Sequence, residues 1–343
     1  MTEGEKSAAT LTDVAKAAGV SPATVSRVLS QRGDFRPDTR ARVLAAAKAL
    51  GYDRSWTPRG RRSPEATTID LVMGQVSHWW SDRVVRGAWH GAAKMGLDLT
   101  LTTERLDDDD DDWPSRVLRR GTVGIVIGLA HPSPPQLANL RAARVPVVLL
   151  DPMTASNDNV CSVGTTDREG GYAAGQHLVD LGVTDFISVQ ARPAYRFVRQ
   201  REAGFRAAVE AGGPGFQLRT VQTRWDGDGP IPELTALMVD RTGRLGIFAS
   251  NDNIALRCYE SAYHAKRRVG VDVLVVGFDD EARAARAAPS LTTLHQPVEQ
   301  MTAKAVELIF TGSAEQLWLA PERHELPAHL VVRESTAGPD GSG

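Results

Sequence analysis

From residue 68 onward the apolar positions follow two alternating rhythms. Short β-branched runs, "TIDLVM", "LDLTLT", "VGIVIGL", "VPVVLLD", "FISVQ", "LRTVQT", "LGIFAS" and "VLVVGFDD", read as strands. Between them lie stretches with apolar residues three and four apart, such as "DRVVRGAWHGAAKMG", "GGYAAGQHLVDLG", "REAGFRAAVEAGG" and "NIALRCYESAYHA". These read as amphipathic helices. Strand–helix alternation of this kind builds parallel sheets with helices on both faces, and there are enough units for two lobes. The fold class expected here is α/β, as two doubly wound parallel-sheet lobes.

The first part of the chain is all-α in pattern and predicts three short helices. Thr10 is placed to cap the first, Asp13 lies near its positive end, and Val14 with the alanines of "DVAKAAG" forms its apolar face before Gly19 ends it. Ser21 caps a second helix with Pro22 in its first turn. Val25, Val28 and Leu29 point inward, while Pro22, Ala23, Thr24, Ser26 and Arg27 lie on or near the open side. A third helix starts near Pro37 and carries Val43, Leu44, Ala47 and Leu50. Two helices joined by a tight Gly turn, the second showing small and basic residues, form a helix-turn-helix, whose second helix fits the DNA major groove. Arg27 is the candidate for guanine recognition.

Charge sharpens this picture. The net charge is −2, yet residues 1–62 carry 12 Lys or Arg against 6 Asp or Glu, and the remainder carries 28 against 36. A basic head on an acidic body implies that the head meets a polyanion. The segment "DRSWTPRGRRSPEAT" between them is rich in Pro, Gly, Ser and Arg and reads as a linker. Expected boundaries are 1–9 disordered, 10–53 helix-turn-helix, 54–67 hinge or linker, 68–335 a two-lobed effector-binding and dimerisation domain, and 336–343 a disordered tail. No apolar run approaches a membrane span, and "MTEGEKSAAT" lacks the pattern of a secretory signal, so the expected location is cytoplasmic. Cys161 and Cys258 are too few for a disulfide framework and too far apart for a local metal clip. The six aspartates of "LDDDDDDWP" lack the spaced ligands of a calcium loop and read as a solvated loop entering a helix near Ser115. No metal or cofactor is expected. Neither a Gly-rich phosphate fingerprint nor a G-x-S-x-G elbow is present, so no catalytic residues are assigned and the chain is not expected to be an enzyme.

In open sheets of this kind ligands bind beyond the carboxyl ends of the strands, and a cleft between lobes is the default site. Asp151, Asn251-Asp252 and Asp279-Asp280 close strands, and Arg201 opens "REAGF". Such groups hydrogen-bond vicinal hydroxyls, while Trp79, Trp80 or Trp225 could cover a sugar's apolar face. His78 is a further polar candidate beside the Trp pair.

The stretch "TLTDVAKAAGVSPATVSRVLSQRG…TRARVLAAAKALGY" resembles the DNA-binding head of the lactose-repressor (LacI/GalR) family. The lines "DREGGYAAGQHLVDLG", "RQREAGF", "ASNDNIAL" and "VLVVGFDD…PSLTTLHQPVEQM" stand in the order of that family's effector domain, which resembles periplasmic sugar-binding proteins. The likeness spans about residues 10–335. It implies a dimeric transcription regulator, more specifically a repressor, on a pseudo-palindromic DNA operator, controlled by a small effector bound between the lobes. Arg201, Asn251 and Asp279 match positions that commonly bind effector in the family; Asp151, Trp225 and Gln296 match positions that do so in some members. The resemblance points to a sugar effector, with a purine or nucleoside as the alternative on the same scaffold. The sequence departs from the family at Arg36, where a Ser helix cap is usual, and in the linker. There Pro58, Arg59, Gly60 and Arg61 replace an Ala-Arg-x-Leu hinge motif, so that Arg59 and Arg61 read as a basic arm toward phosphates or a narrow minor groove.

Overall fold

The alternation in the body resolves into two parallel sheets. The computed structural model describes residues 11–21, 24–25, 28, 36–50, 67–74, 76, 79–105, 111–153 and 159–337. In chain order the head shows α1 (Leu11–Ala18) and α2 (Pro37–Ala49). The body begins with β1 (Thr68–Met73), α3 (Trp79–Lys94), β2 (Asp98–Thr103), α4 (Trp113–Arg120), β3 (Ile125–Gly128), α5 (Pro134–Ala142), β4 (Val147–Leu150) and β5 (Ser162–Thr165). It continues with α6 (Asp167–Asp180), β6 (Asp185–Arg192), α7 (Arg196–Ala211), β7 (Gln217–Arg224), α8 (Pro232–Val239), β8 (Leu245–Ala249), α9 (Asp252–His264) and β9 (Val273–Val276). The last elements are β10 (Thr293–His295), α10 (Val298–Thr311), α11 (Ala314–Leu319), β11 (Arg323–Leu326), β12 (His329–Val331) and α12 (Glu334–Ala337).

The N-lobe sheet runs β2-β1-β3-β4-β5-β11 and the C-lobe sheet β7-β6-β8-β9, with β10 and β12 as a separate antiparallel pair. Every pairing inside the two larger sheets is parallel, for example Leu71 with Leu101 and Val189 with Ala249. Strand order reverses between β1 and β3 in one lobe and between β6 and β8 in the other, which opens a crevice at the carboxyl ends there. Central strands such as β3, β4, β8 and β9 are buried along their whole length, as expected for sheets covered on both faces. In the N-lobe, Val84, Ala88 and Ala92 of α3 pack with Met301, Ala305 and Ile309 of α10 on one face, and Trp113, Val117, Leu140 and Trp318 fill the other. In the C-lobe, Leu234, Met238, Ile254 and Cys258 cover one face, and Leu178, Phe205 and Phe278 the other.

Local chemistry starts the helices where the pattern places them. Asp112, last of the six aspartates, accepts the Ser115 N–H at 3.1 Å and caps α4, so the acidic run does enter a helix; residues 106–110 lie outside the described set. Ser133 and Gln136 form a capping box for α5. The last helix takes in Thr336 and Ala337, which the sequence pattern assigns to the tail; Thr336 is buried and its hydroxyl lies 2.7 Å from that of Thr292.

The chain passes between lobes three times: from β5 to α6, from β10 to α10 and from β11 to β12. The crossovers are bonded to one another. Thr166 N and Thr165 Oγ1 both donate to Leu326 O at 2.9 Å, and Ala328 N donates to Thr166 Oγ1 at 2.9 Å. Just past the first crossover α6 and α7 cross at glycines. A Cβ on Gly171 would overlap the carbonyl oxygen of Arg201, and one on Gly204 that of Arg168. Gly204→Ala is therefore expected to destabilise the chain by about 1–3 kcal/mol, the usual cost of forcing extra atoms into a packed site, and to move Arg201. A urea melt that superimposes on wild type would show that the two backbones can part at no cost.

Candidate functional site

The head is built around seven buried side chains, Val14, Ala15, Ala18, Val25, Val28, Val43 and Ala47. Gly19 takes φ +63°, which ends α1, and Ser21 Oγ accepts the Thr24 N–H at 3.1 Å, which starts the next helical stretch. Ser21 is exposed and Thr24 half-buried, with their hydroxyls 2.9 Å apart. Arg36 precedes α2 without a side-chain cap. The sequence pattern puts Leu44 and Leu50 with Val43 and Ala47; the structure instead leaves Leu44 48% and Leu50 41% exposed, because the apolar stripe of α2 is one side chain wide. Thr10, Pro22, Ala23, Ser26, Arg27, Arg59 and Arg61 lie outside the residues whose side chains are described, as do Pro58, Gly60 and His78.

In the body the candidates converge at the carboxyl ends of strands. Asp151 follows β4, Asn251 follows β8, Asp279 lies beyond β9, and Trp225 follows β7. Asp151, Asp279 and Asp280 take φ of +46°, +116° and +58°, in a region that costs a side-chain-bearing residue on the order of 1–3 kcal/mol. The surrounding backbone thus holds these carboxyls against a local preference. Arg201 sits in the second turn of α7 and is only 2% exposed. Its Nε donates to Asp167 Oδ1 at 2.9 Å, and its Nη1 donates to Ser250 O at 2.8 Å and toward Asp279 Oδ1 at 3.5 Å. The guanidinium carbon lies 3.6 Å from the centre of the Phe278 ring and 5.0 Å from that of Phe197.

Gln296, in the second crossover, donates from Nε2 to Asp279 Oδ1 at 3.0 Å and accepts the Trp80 indole N–H on Oε1 at 3.4 Å. Trp80, Gln296, Asp279, Arg201 and Asp167 therefore form one buried polar chain across both lobes. Asn251 Oδ1 caps α9 by accepting the Ile254 N–H at 2.9 Å, which leaves its amide NH2 as the donor end. Asp151 has Arg323 Nη2 at 3.9 Å. Trp80 is 6% exposed within the N-lobe core, so it offers the site an N–H rather than a ring face, and the half-buried Trp79 packs against the same core. Trp225 is held in a ring cluster with Tyr195 and Phe197 by a bond from its Nε1 to Pro193 O of 2.9 Å.

Asp167, Tyr195, Phe197 and Phe278 are site residues the sequence pattern does not single out. An acid opening a helix reads as a cap charge, and the aromatics of "YRF" read as helix entry. Only the crossing of α6 over α7 reveals that Asp167 meets Arg201.

Burial is the main electrostatic influence on the acids. It raises Asp167 to about 7 and Asp279 well above the ordinary carboxylate range, with Arg201 pulling both down. Asp151 is raised by burial as well, opposed by Arg201 and Arg323. Among the described residues no group of His, Cys, Asp or Glu is arranged to hold a metal ion, and no helix is long and apolar enough to cross a membrane.

Comparison with known proteins gives this architecture its place. Residues 10–55 match the model of bacterial regulatory proteins of the lacI family. Residues 66–228 match periplasmic binding proteins and the sugar-binding domain of the LacI family, and residues 176–336 match a periplasmic binding protein-like domain. The HTH-type transcriptional regulator DegA of Bacillus subtilis is 29% identical over 336 residues, covering 96% of this chain and 98% of its own. The solved complex of the transcriptional regulator CelR with cellobiose superposes with a TM-score of 0.65 at 26% identity, over 95% of this chain and 99% of that one. A LacI-family regulator from Enterococcus faecium, solved with bound ribose, superposes with a TM-score of 0.65 at 25% identity over 78% and 98%. A helix-turn-helix head joined to a two-lobed binding domain is the plan of a ligand-responsive DNA-binding regulator, a class without enzymatic activity. The chain belongs to the LacI family of transcriptional regulators.

Asp252, beside Asn251, provides a test of the electrostatics. It is fully buried, accepts the Glu281 N–H on Oδ2 at 2.8 Å, and has Thr293 Oγ1 at 2.5 Å from Oδ1. Burial raises it to about 8, against the pull of those two bonds. A carboxyl raised in the folded state stabilises the fold fully at low pH, and that contribution fades as pH rises through the folded value. Thermal stability should therefore decline from about pH 4 toward pH 8. Asp252→Asn, whose amide reproduces the protonated acid, should flatten that decline. Melting curves between pH 5 and 8.5 with equal slopes in wild type and variant would place the titration elsewhere.

Proposed function

We propose that this chain acts as a dimeric repressor whose affinity for a pseudo-palindromic operator is set by a neutral sugar bound between the lobes. The observation that carries the effector class is the buried set of Arg201, Asp279, Gln296 and Asn251. Both bonds to Asp279 fall on Oδ1, so its second oxygen is the natural acceptor for a ligand hydroxyl. The Asn251 amide NH2 is the matching donor. A hydroxyl donates and accepts at once, which suits carboxylates and amides set side by side. The guanidinium of Arg201 is already matched by Asp167 and Asp279, so a ligand with net charge would upset a balanced site. CelR held with cellobiose and the Enterococcus faecium regulator held with ribose support the same class.

Asp151, on the N-lobe side of the cleft, would bind the sugar together with Arg201 and Asp279, and lobe closure would carry the signal to the head. That is a coupling free energy and is reciprocal: sugar changes operator affinity by the factor by which operator changes sugar affinity. On the DNA side Ser21, Pro22, Ala23, Thr24, Ser26 and Arg27 would meet the major groove. Thr10, Arg59 and Arg61 would add backbone contacts.

Intrinsic tryptophan fluorescence, titrated with neutral sugars, sugar phosphates and nucleosides, tests the effector class directly. Saturable quenching confined to nucleosides or to sugar phosphates would replace the neutral-sugar reading. Asp279→Asn keeps the shape of the side chain but removes a charge-assisted acceptor. It should weaken the responding sugar by about tenfold or more, as loss of a hydrogen bond to a charged group commonly does. An unaltered titration would put the sugar elsewhere. On the operator, Arg27→Ala should cost about 1–3 kcal/mol and relax preference at one symmetric base position. Binding-site selection that returns the wild-type consensus would confine Arg27 to phosphate or solvent.

A further inference from the structure

Beyond the buried polar set the cleft continues into a row of rings. Phe197 lies 5.0 Å from the Arg201 guanidinium carbon, so the rings begin where the polar pocket ends. Phe197, Tyr195 and Trp225 then stand 5.8–5.9 Å apart, and Tyr195 lies 6.0 Å from His131. Exposure rises along the row: Arg201 is buried, the three aromatic residues are half-buried and His131 is exposed. The row also crosses the lobes, since His131 follows β3 of the N-lobe and the others follow β6 and β7 of the C-lobe. A backbone bond from Arg196 N to Met153 O, 2.9 Å long, spans the same gap.

We propose that His131, Tyr195, Phe197 and Trp225 form a second subsite, which takes a further sugar ring of a neutral oligosaccharide whose first ring occupies the polar pocket. The proposal deepens the sugar reading above and rests on it. Half-buried rings in a mouth present apolar faces, and the C–H faces of pyranose rings bury against such surfaces with water release. Trp225 is fixed by its bond to Pro193 O, so little freedom is lost when a ligand covers it. The geometry disfavours a nucleobase in this position. A base inserted between two rings needs parallel faces about twice the usual 3.5–4.0 Å carbon contact apart. Here the neighbouring rings lie closer than that and are tilted by 30–62°. The Trp225 N–H is also committed to Pro193 rather than to reading a base edge.

The test uses the full-length protein and calorimetric titration with matched series: glucose, cellobiose and cellotriose; xylose and xylobiose; galactose and lactose; adenosine and guanosine. In the responding series the disaccharide should bind about tenfold more tightly than its monosaccharide, roughly the worth of one good aromatic contact. Tyr195→Ala and His131→Ala should bring that ratio close to one, and Tyr195→Phe should keep it. His131 is exposed, so its variant serves if the Tyr195 variant fails to fold. Equal affinities for mono- and disaccharide, or a ratio that survives both alanine variants, would overturn the subsite while leaving the sugar reading intact. A panel in which no saccharide binds, or in which only a nucleoside does, overturns both.

Discussion

A buried guanidinium governs the arrangement of the effector domain. Withdrawing such an ion from water costs several kcal/mol even after relaxation, and the cost is met only where counter-charges and acceptors surround it. Arg201 has Asp167, Asp279, the Ser250 carbonyl and the Phe278 ring around it. Each partner comes from a different element, so the condition for burying Arg201 is a condition on the whole C-lobe. The helices α6 and α7 must touch, which requires glycine at positions 171 and 204. The ends of β8 and β9 must be level, which their register from Leu245 with Val273 to Phe248 with Val276 ensures. The loop after β9 must turn back with positive φ at Asp279 and Asp280.

The same side chains lie on the passages between lobes. Asp167 opens α6 directly after the first crossover, and Gln296 stands in the second. Asp280, next to Asp279, holds His295 in the second crossover at 3.0 Å, and Arg333, just beyond the third, at 2.7 Å. A group that bonds to Asp279 or Gln296 thus acts on the segments that set the angle between lobes. A ligand can shift a two-state equilibrium only through contacts that differ between the states.

Much of this was legible in the sequence, and the remainder follows a physical rule. All eight quoted strand runs form strands, because fully covered parallel strands read as short apolar runs flanked by helical periodicity. Residues of β5, "SVGT", and of β11, "RHEL", escape that pattern. The first is buried but small and polar, and the second is an edge strand of mixed character. Arg201, Asp279 and Gln296 were legible as candidates and do form one bonded set. Asp167 and the ring row were not, since their partners lie 34 positions away in the first case and on another strand or lobe in the second. Trp80 shows the opposite outcome, a residue chosen for its ring that reaches the site through its N–H.

That indole bond also joins the site to the start of the body. Trp80 is the second residue of α3, the first helix after β1, and β1 is the strand that receives the chain from the linker. Gln296 accepts from Trp80 and donates to Asp279, so it cannot move without releasing one lobe or the other. Its neighbour Pro297 leads into α10, which packs closely along α3: a Cβ on Gly87 would collide with the Glu299 backbone, and Arg83 bonds Glu299 at 3.2 Å. Packed interiors of this density do not stretch; they shift as units or not at all. Displacement of Gln296 therefore moves α3 and α10 together, and with them the strand to which the DNA-binding head is tethered.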